Sequence, residues 1–299
     1  MSAASGSGPL RKILFYGLGM MGLPMASRLV DAGFEVIGFD PSKDQVSQFM
    51  SRGGRAPSGS VDFESADAVV SMLPNGKNVH EIYETSLITS LKKPTLLIDC
   101  STIDVATTKI VADLAHGGGH DFIDAPVSGG YEMATAGTLS FMVGGEPAVL
   151  ERARQVLKVL GSKIVHFGPA SSGQAMKACN NMVVGINIIA LSEGFYLARK
   201  LGLDLKKVAE LWRGAALASW LLENRCPVPD LIEGVPSSKG YQPGFAAHLM
   251  LKDLGLSQDA AKECSAVTPF GAQAMLKYRE FVNDGNGQLD ISGIYKMYK

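Results

Sequence analysis

Gly17-Leu18-Gly19-Met20-Met21-Gly22 stands between a short apolar run, Leu10–Tyr16, and a stretch with helical spacing, Gly22–Ala32. Few folds accept three glycines at this spacing between a strand and a helix. The first permits a tight turn, the second lets the backbone approach a ligand, and the third lets helix and strand pack closely. Met25, Ala26, Leu29 and Val30 share one helix face, and Gly33 sits where a C-terminal cap is preferred. Unpaired N–H groups at such a helix start hold a diphosphate. Glycines also arise as turn punctuation, and this chain has 34 of them. Here the flanking elements fit, and a second strand, Glu35–Phe39, ends at an acid, Asp40. A carboxylate there accepts hydrogen bonds from the adenosine ribose and repels a 2′-phosphate. No arginine follows in Pro41-Ser42-Lys43, so the pattern predicts NAD over NADP. The alternative for Asp40 is a cap on a helix starting near Pro41.

The alternation continues. Ala68–Leu73, Thr95–Asp99, Asp121–Asp124, Leu139–Val143 and Lys163–Phe167 read as strands. Ser42–Arg52, Asp104–Ala115 and Pro147–Leu160 read as helices. This predicts an α/β fold, a doubly wound Rossmann-type domain with a mainly parallel sheet, over residues 10–170. From Ser171 the strand pattern disappears, predicting an all-helical domain over residues 171–299. Its first element is one long helix, Gly173–Leu201, apolar around most of its circumference between Met182 and Leu191, which predicts a helix buried at a domain or subunit junction. Residues 1–9 are small and read as a flexible tail.

At 299 residues the chain can bury two cores. The hydrophobic share of 46% against 19% charged excludes a largely disordered chain. A net charge of −1 offers nothing to nucleic acid or an anionic membrane, and the run Met182–Leu191 is too short to span a bilayer. Five scattered histidines and four separated cysteines predict no metal site and a reduced compartment. The partner these features leave is a small-molecule substrate.

Several residues carry candidate chemistry. Leu73-Pro74-Asn75 and Cys100-Ser101-Thr102 lie at strand ends that face the ligand crevice of a doubly wound sheet. Ser128, with the N–H groups of Gly129 and Gly130, could hold a carboxylate; a plain glycine turn is the alternative. Lys177 and Asn181 share one face of the long helix. A lysine near a helix start meets the positive end of the dipole, and burial acts in the same direction, towards a general base. Position alone leaves Lys177 open between that role and an ordinary surface lysine. Lys252-Asp253-Leu254-Gly255 reads as the opening of another helix.

Taken together, four segments resemble the β-hydroxyacid dehydrogenase family, over essentially the whole chain. They are Gly17 to Ala26, Asp124 to Gly130, Gly173 to Asn181, and Lys252 to Leu254. Asp99 to Asp104 and the stretch from Cys226 to Gly255 resemble the branch that oxidises (S)-3-hydroxyisobutyrate. The resemblance implies Lys177 and Asn181 as catalytic, and Ser128, Gly129, Gly130 and Thr102 as substrate-binding. It implies NAD contacts from Gly17, Leu18, Gly19, Met20, Met21, Gly22, Asp40, Leu73, Pro74, Asn78, Thr102, Phe245 and Lys252. It further implies a homodimer or homotetramer and, in a eukaryote, the mitochondrial matrix, otherwise the cytoplasm. Tyr131-Glu132-Met133 departs from the smaller residues the family pattern calls for and leaves the substrate pocket open. Two rivals remain: an NADPH-dependent semialdehyde reductase of the same family, and a non-catalytic dinucleotide-binding module. The module would have no use for Lys177, Asn181 and the Ser128 loop together.

Overall fold

The computed structural model describes residues 8–298, so most of the leader expected over residues 1–9 lies outside the described residues. Two compact units divide the chain, residues 1–177 and 178–299. The division falls inside the long helix, a little after the domain change expected at residue 170.

In the first unit, β1 (Lys12–Tyr16) passes through the glycine loop into α1 (Gly22–Asp31), followed by β2 (Glu35–Phe39) and α2 (Lys43–Ser51). A short α3 (Val61–Glu64) precedes β3 (Ala68–Ser71). Then α4 (Gly76–Ile82), a π-helical turn over Tyr83–Leu87 and α5 (Ile88–Ser90) lead to β4 (Leu96–Asp99). The alternation closes with α6 (Val105–Gly117), β5 (Asp121–Asp124), β6 (Val127–Ser128), α7 (Gly130–Ala136), β7 (Leu139–Gly145), α8 (Pro147–Leu160) and β8 (Gly161–Gly168). The strand order is β2-β1-β3-β4-β5-β7-β6, with β8 on β7. β1 to β5 pair in parallel, as expected of a doubly wound sheet. β7 runs antiparallel to β5 and β6, which the sequence reading did not foresee. Two-residue β6 is too short to show any periodicity.

Both sheet faces are buried, as a parallel sheet requires. Ile13 and Phe15 join one core with Met25, Leu29, Ile98 and Leu157. Leu14 and Tyr16 join the other with Val69, Leu97, Val111 and Phe122. Each such side chain stabilises the fold by about 1.5–3 kcal/mol when fully buried. Packing therefore sets where the strand ends lie, independently of the loops. In-register pairing aligns Tyr16, Ser71, Asp99 and Asp124 as one row at the carboxyl ends of four strands. There the apolar alternation stops. The chain switches sides of the sheet between β1 and β3, and loops leaving that switch point flank the ligand crevice.

α9 (Ser172–Lys200) begins in the first unit and continues into the second. The second unit adds α10 (Leu205–Arg213), α11 (Trp220–Arg225), α12 (Ala247–Glu263), α13 (Pro269–Phe281) and a 3-10 segment, Ile291–Met297. It is helical as expected, apart from one isolated bridge, Ala246–Asp290. One core gathers Ile188, Met250, Leu254, Tyr278, Phe281 and Ile294; another gathers Leu191, Phe195, Leu222, Cys226 and Tyr295. α12 lies along α9: Ser257 Oγ donates to the Ala178 carbonyl at 2.8 Å, and Leu254 packs against Gly185.

Two expectations need correction. Lys252 does not open a helix, because α12 starts at Ala247 and places Lys252 in its second turn. That start is set by distant partners instead of a local cap: the Ala247 and His248 amides donate to the Leu289 and Gly287 carbonyls. The apolar stretch of α9 also exceeds the ten-residue run noted above. Its best window has a mean hydropathy of 1.4, long and apolar enough by length and composition to cross a membrane. Only 39% of that window is buried; Ile188 and Phe195 are covered, whereas Val183 and Leu197 are exposed. Within this chain, burial is confined to one face of a helix expected to be buried at a domain or subunit junction.

Candidate active site

The glycine loop is built by two different demands. Gly17 has φ +93°, and a Cβ there would run into the Met72 carbonyl; one on Gly22 would run into the Gly17 carbonyl. Gly19 has nothing within 4 Å of its Cβ position. Packing thus requires the outer glycines, while the middle one keeps open a space outside the protein. Leu18 is buried, Met21 half-buried and Met20 exposed. α1 has no side-chain cap, which leaves the positive end of its dipole available to an anion. These features fit the diphosphate of a dinucleotide.

Asp40 closes the cradle. Its Oδ2 accepts from the Leu18 amide at 2.8 Å and its Oδ1 from the Ser42 amide at 2.8 Å. The cap on α2 is Ser42, whose Oγ accepts from the Gln45 amide. The capping alternative for Asp40 is therefore taken by another residue, and its carboxylate stays fixed beside the loop.

Next along the crevice, the Leu73 amide donates to Ser101 Oγ at 2.9 Å, which in turn donates to Asp99 Oδ1 at 2.6 Å. Ser71 Oγ donates to the same oxygen at 2.8 Å, with the Tyr83 hydroxyl 3.0 Å behind it. Burial pushes the Asp99 carboxyl above the usual carboxylate range, against these hydroxyl donors. Burial also lifts the Tyr83 hydroxyl, helped by the Asp99 charge. Pro74 is exposed. Asn78 lies in the first turn of α4, and its amide donates to the cap residue Asn75 at 3.0 Å. Thr102 is half-buried between two residues that Gln174 grips: Gln174 Nε2 donates to the Ser101 carbonyl at 2.7 Å, and the Ile103 amide donates to Gln174 Oε1 at 3.2 Å.

The start of α9 is anchored on β5. Asp124 Oδ1 accepts from the Ser171 amide at 2.7 Å, and Oδ2 from the Gln174 amide at 2.8 Å. Burial pushes this carboxyl up to about 6, while the two amides pull it down. One turn on, Lys177 is 8% exposed, and its Nζ donates to the Val127 carbonyl at 2.8 Å. A surface lysine would snorkel into water; this one is held inside. The same segment continues into half-buried Ser128 and into Gly129 and Gly130, whose φ of +139° and +71° only glycine readily adopts.

In the second unit, Asn181 is 3% exposed and its Nδ2 donates to Asp253 Oδ2 at 2.5 Å. Lys252 Nζ lies 3.3 Å from the other oxygen of Asp253. The Phe245 and Gly244 amides donate to Asp290 Oδ2 at 3.1 and 3.0 Å. Asp290 is fully buried, and Arg225 lies 3.7 Å from it. Hydrogen bonds thus link Leu73, Ser101 and Gln174, and Lys177 is tied to the segment that leads into Ser128. Asn181 and Lys252 meet at Asp253, while Phe245 is held separately by Asp290. Gln174 and Asp253 lie in segments that carry the resemblance but were given no role, and Asp290 was not named. The partners that place them in the site lie tens of residues away: Ser101 and Ile103 for Gln174, Asn181 for Asp253, and Gly244 and Phe245 for Asp290.

Two family descriptions match the chain: "NAD binding domain of 6-phosphogluconate dehydrogenase" over residues 12–168, and "NAD-binding of NADP-dependent 3-hydroxyisobutyrate dehydrogenase" over residues 171–298. A protein of Mycobacterium tuberculosis named probable 3-hydroxyisobutyrate dehydrogenase is 42% identical, over 94% of this chain and 96% of that one. Human mitochondrial 3-hydroxyisobutyrate dehydrogenase is 38% identical, over 95% of this chain and 86% of that one. The NAD-dependent L-serine dehydrogenase of Pseudomonas aeruginosa is also 38% identical, over 97% and 98%. The solved structure of the Mycobacterium tuberculosis 3-hydroxyisobutyrate dehydrogenase with L-serine superposes with a TM-score of 0.91 at 41% identity, covering 96% and 99%.

Proposed function

The chain belongs to the 3-hydroxyisobutyrate dehydrogenase family, and we propose that it oxidises (S)-3-hydroxyisobutyrate to methylmalonate semialdehyde with NAD, in valine breakdown. Its cofactor is a nicotinamide dinucleotide, and it is a β-hydroxyacid dehydrogenase. The preference for NAD is supported by Asp40, whose carboxylate two backbone amides hold beside the glycine loop. A 2′-phosphate would bring like charge against it. When bound, NAD supplies the acceptor for the hydride.

The observation that carries the reading is the burial of Lys177 with its Nζ 2.8 Å from the Val127 carbonyl. That bond keeps the amine next to the Ser128-Gly129-Gly130 segment, which would bind the substrate carboxylate through one hydroxyl and two amides. As general base, the uncharged amine takes the proton of the hydroxyl as the carbon gives up its hydride, and returns it in the reverse direction. Asn181, one turn further along α9 and held by Asp253, is the second residue assigned to catalysis. A panel of 3-hydroxyisobutyrate, L-serine, glycerate and glyoxylate with both cofactors tests the assignment. A kcat/KM highest for 3-hydroxyisobutyrate with NAD is expected; a preference for glyoxylate with NADPH would overturn it.

L-Serine is the second reading, favoured by the Pseudomonas aeruginosa relative. It shares the primary alcohol β to a carboxylate, and the same panel separates the two. We further propose a homodimer or homotetramer, because Val183, Leu197 and Leu201 leave apolar surface exposed. In a eukaryote the protein would work in the mitochondrial matrix, as the names of the human and Dictyostelium discoideum relatives suggest.

A further inference from the structure

We propose that Gln174 is a positioning residue, whose carboxamide ties the loop bearing Thr102 to the helix turn bearing Lys177 so that both groups keep one geometry during turnover. The inference rests on the site reading above and adds the part that joins its two halves.

Gln174 is 1% exposed and lies three residues before Lys177, on the same side of α9. Its side chain contacts the backbone on both sides of Thr102. Nε2 donates to the Ser101 carbonyl at 2.7 Å, and Oε1 accepts from the Ile103 amide at 3.2 Å. Ser101 and Ile103 are both buried, so neither group has water as a substitute. A carboxamide suits this task because it offers one donor and one acceptor in a plane. The loop is thereby held as a neighbouring strand would hold it.

Gln174 itself cannot drift. Its own amide donates to Asp124 Oδ2 at 2.8 Å, so its backbone is clamped to β5 while its side chain reaches the loop after β4. The preceding Gly173 leaves no slack, since a Cβ there would lie 2.7 Å from the same carboxylate oxygen and meet the Met142 carbonyl. Ser171 enters the helix with φ +79°, a left-handed backbone that serine keeps only when its surroundings hold it. One turn further, Lys177 is bonded to the segment after β5. The first turn of α9 therefore holds both crevice loops and the base, and Gln174 links it to the loop that bears Thr102.

Glutamate at this position changes almost no volume but sets an oxygen, without a hydrogen to donate, against the Ser101 carbonyl. Full-length enzyme is compared as wild type, Gln174→Glu, Thr102→Ala and the double variant, under saturating hydroxy acid and NAD. Gln174→Glu should lower kcat about tenfold to a hundredfold, the usual penalty for a misplaced reacting group. The double variant should be no slower than Thr102→Ala alone, since Gln174 acts through that loop. Independent, multiplying losses would overturn the inference, as would a Thr102→Ala enzyme with wild-type kcat. Should Gln174→Glu fail to fold, Gln174→Met fills the same volume without hydrogen bonds and should show the same coupling; wild-type kcat in folded Gln174→Met would overturn the proposal. Lys177→Ala is measured alongside. Near-normal turnover there would sink the site reading, an outcome separate from any behaviour of Gln174.

Discussion

Replacing Asp124 with asparagine separates what this side chain does for helix α9 from what its charge costs the fold. The carboxyl is fully buried and stands at about 6, against 3.8 for an ordinary aspartate. Burial is the main cause. The Gln174 and Ser171 amides oppose it, and the neighbouring Asp99 charge adds to it. Because the folded protein holds this proton more tightly than the unfolded chain, the resulting stabilisation is full below pH 4. It is lost as pH rises through 6. A tenfold change in proton affinity corresponds to about 1.4 kcal/mol, so the loss by pH 8 is about 3 kcal/mol. Asparagine does not titrate and escapes that loss. Its single acceptor can serve one of the two amides, leaving the other facing an NH2 group, at a cost of about 1–3 kcal/mol at every pH. Asp124→Asn should therefore trail wild type at pH 4 and draw level with it, or overtake it, at pH 8. Urea unfolding followed by far-ultraviolet circular dichroism at both pH values reads the difference. A gap between the two proteins that stays constant with pH would refute the reasoning, because it would mean that the buried carboxyl does not titrate between those limits.

Other outcomes follow from the same geometry. Gly19→Ala should fold with stability within about 0.5 kcal/mol of wild type, as its Cβ meets no protein atom, yet bind NADH at least about tenfold more weakly in a fluorescence titration; unchanged affinity would place the diphosphate elsewhere. Lys177→Ala should lose at least about a hundredfold in kcat with NADH affinity little altered, and near-normal turnover would remove the base. Asp40→Ala should erode the preference for NAD over NADP in kcat/KM, and an unchanged ratio would limit Asp40 to holding the Leu18 amide.

Much of this architecture is visible in the sequence because it is local. A strand, a glycine turn and a helix are adjacent in the chain, and buried parallel strands such as Leu96–Asp99 announce themselves as apolar runs. What escaped is mostly non-local. The start of α12 at Ala247 depends on carbonyls at Gly287 and Leu289, so Lys252 seemed to open a helix that it actually continues. β6 exists because Val127 and Ser128 pair with Phe141 and Ser140, not because two residues have a strand pattern. In the site, Lys177 stayed open on position alone and took its role from the family resemblance, while the glycine loop could be named from spacing. Gln174 could not, since its carboxamide serves a loop more than seventy positions away. Asp253 looked like an ordinary helix acid until Asn181 was found against it.

The aligned row of Tyr16, Ser71, Asp99 and Asp124 marks a seam in the molecule. Below it, side chains serve packing almost wholly; above it, the loops that carry the candidate site still send Leu18, Cys100, Ala125 and Val127 into the core. A lineage can therefore rewrite the exposed residues above the seam, provided these few anchors stay, without disturbing the layer that makes the domain fold. Relatives of near-equal likeness can then carry names as different as 3-hydroxyisobutyrate dehydrogenase and L-serine dehydrogenase. For anyone recombining such enzymes, the place to cut is just above this row, where a foreign loop inherits a finished foundation.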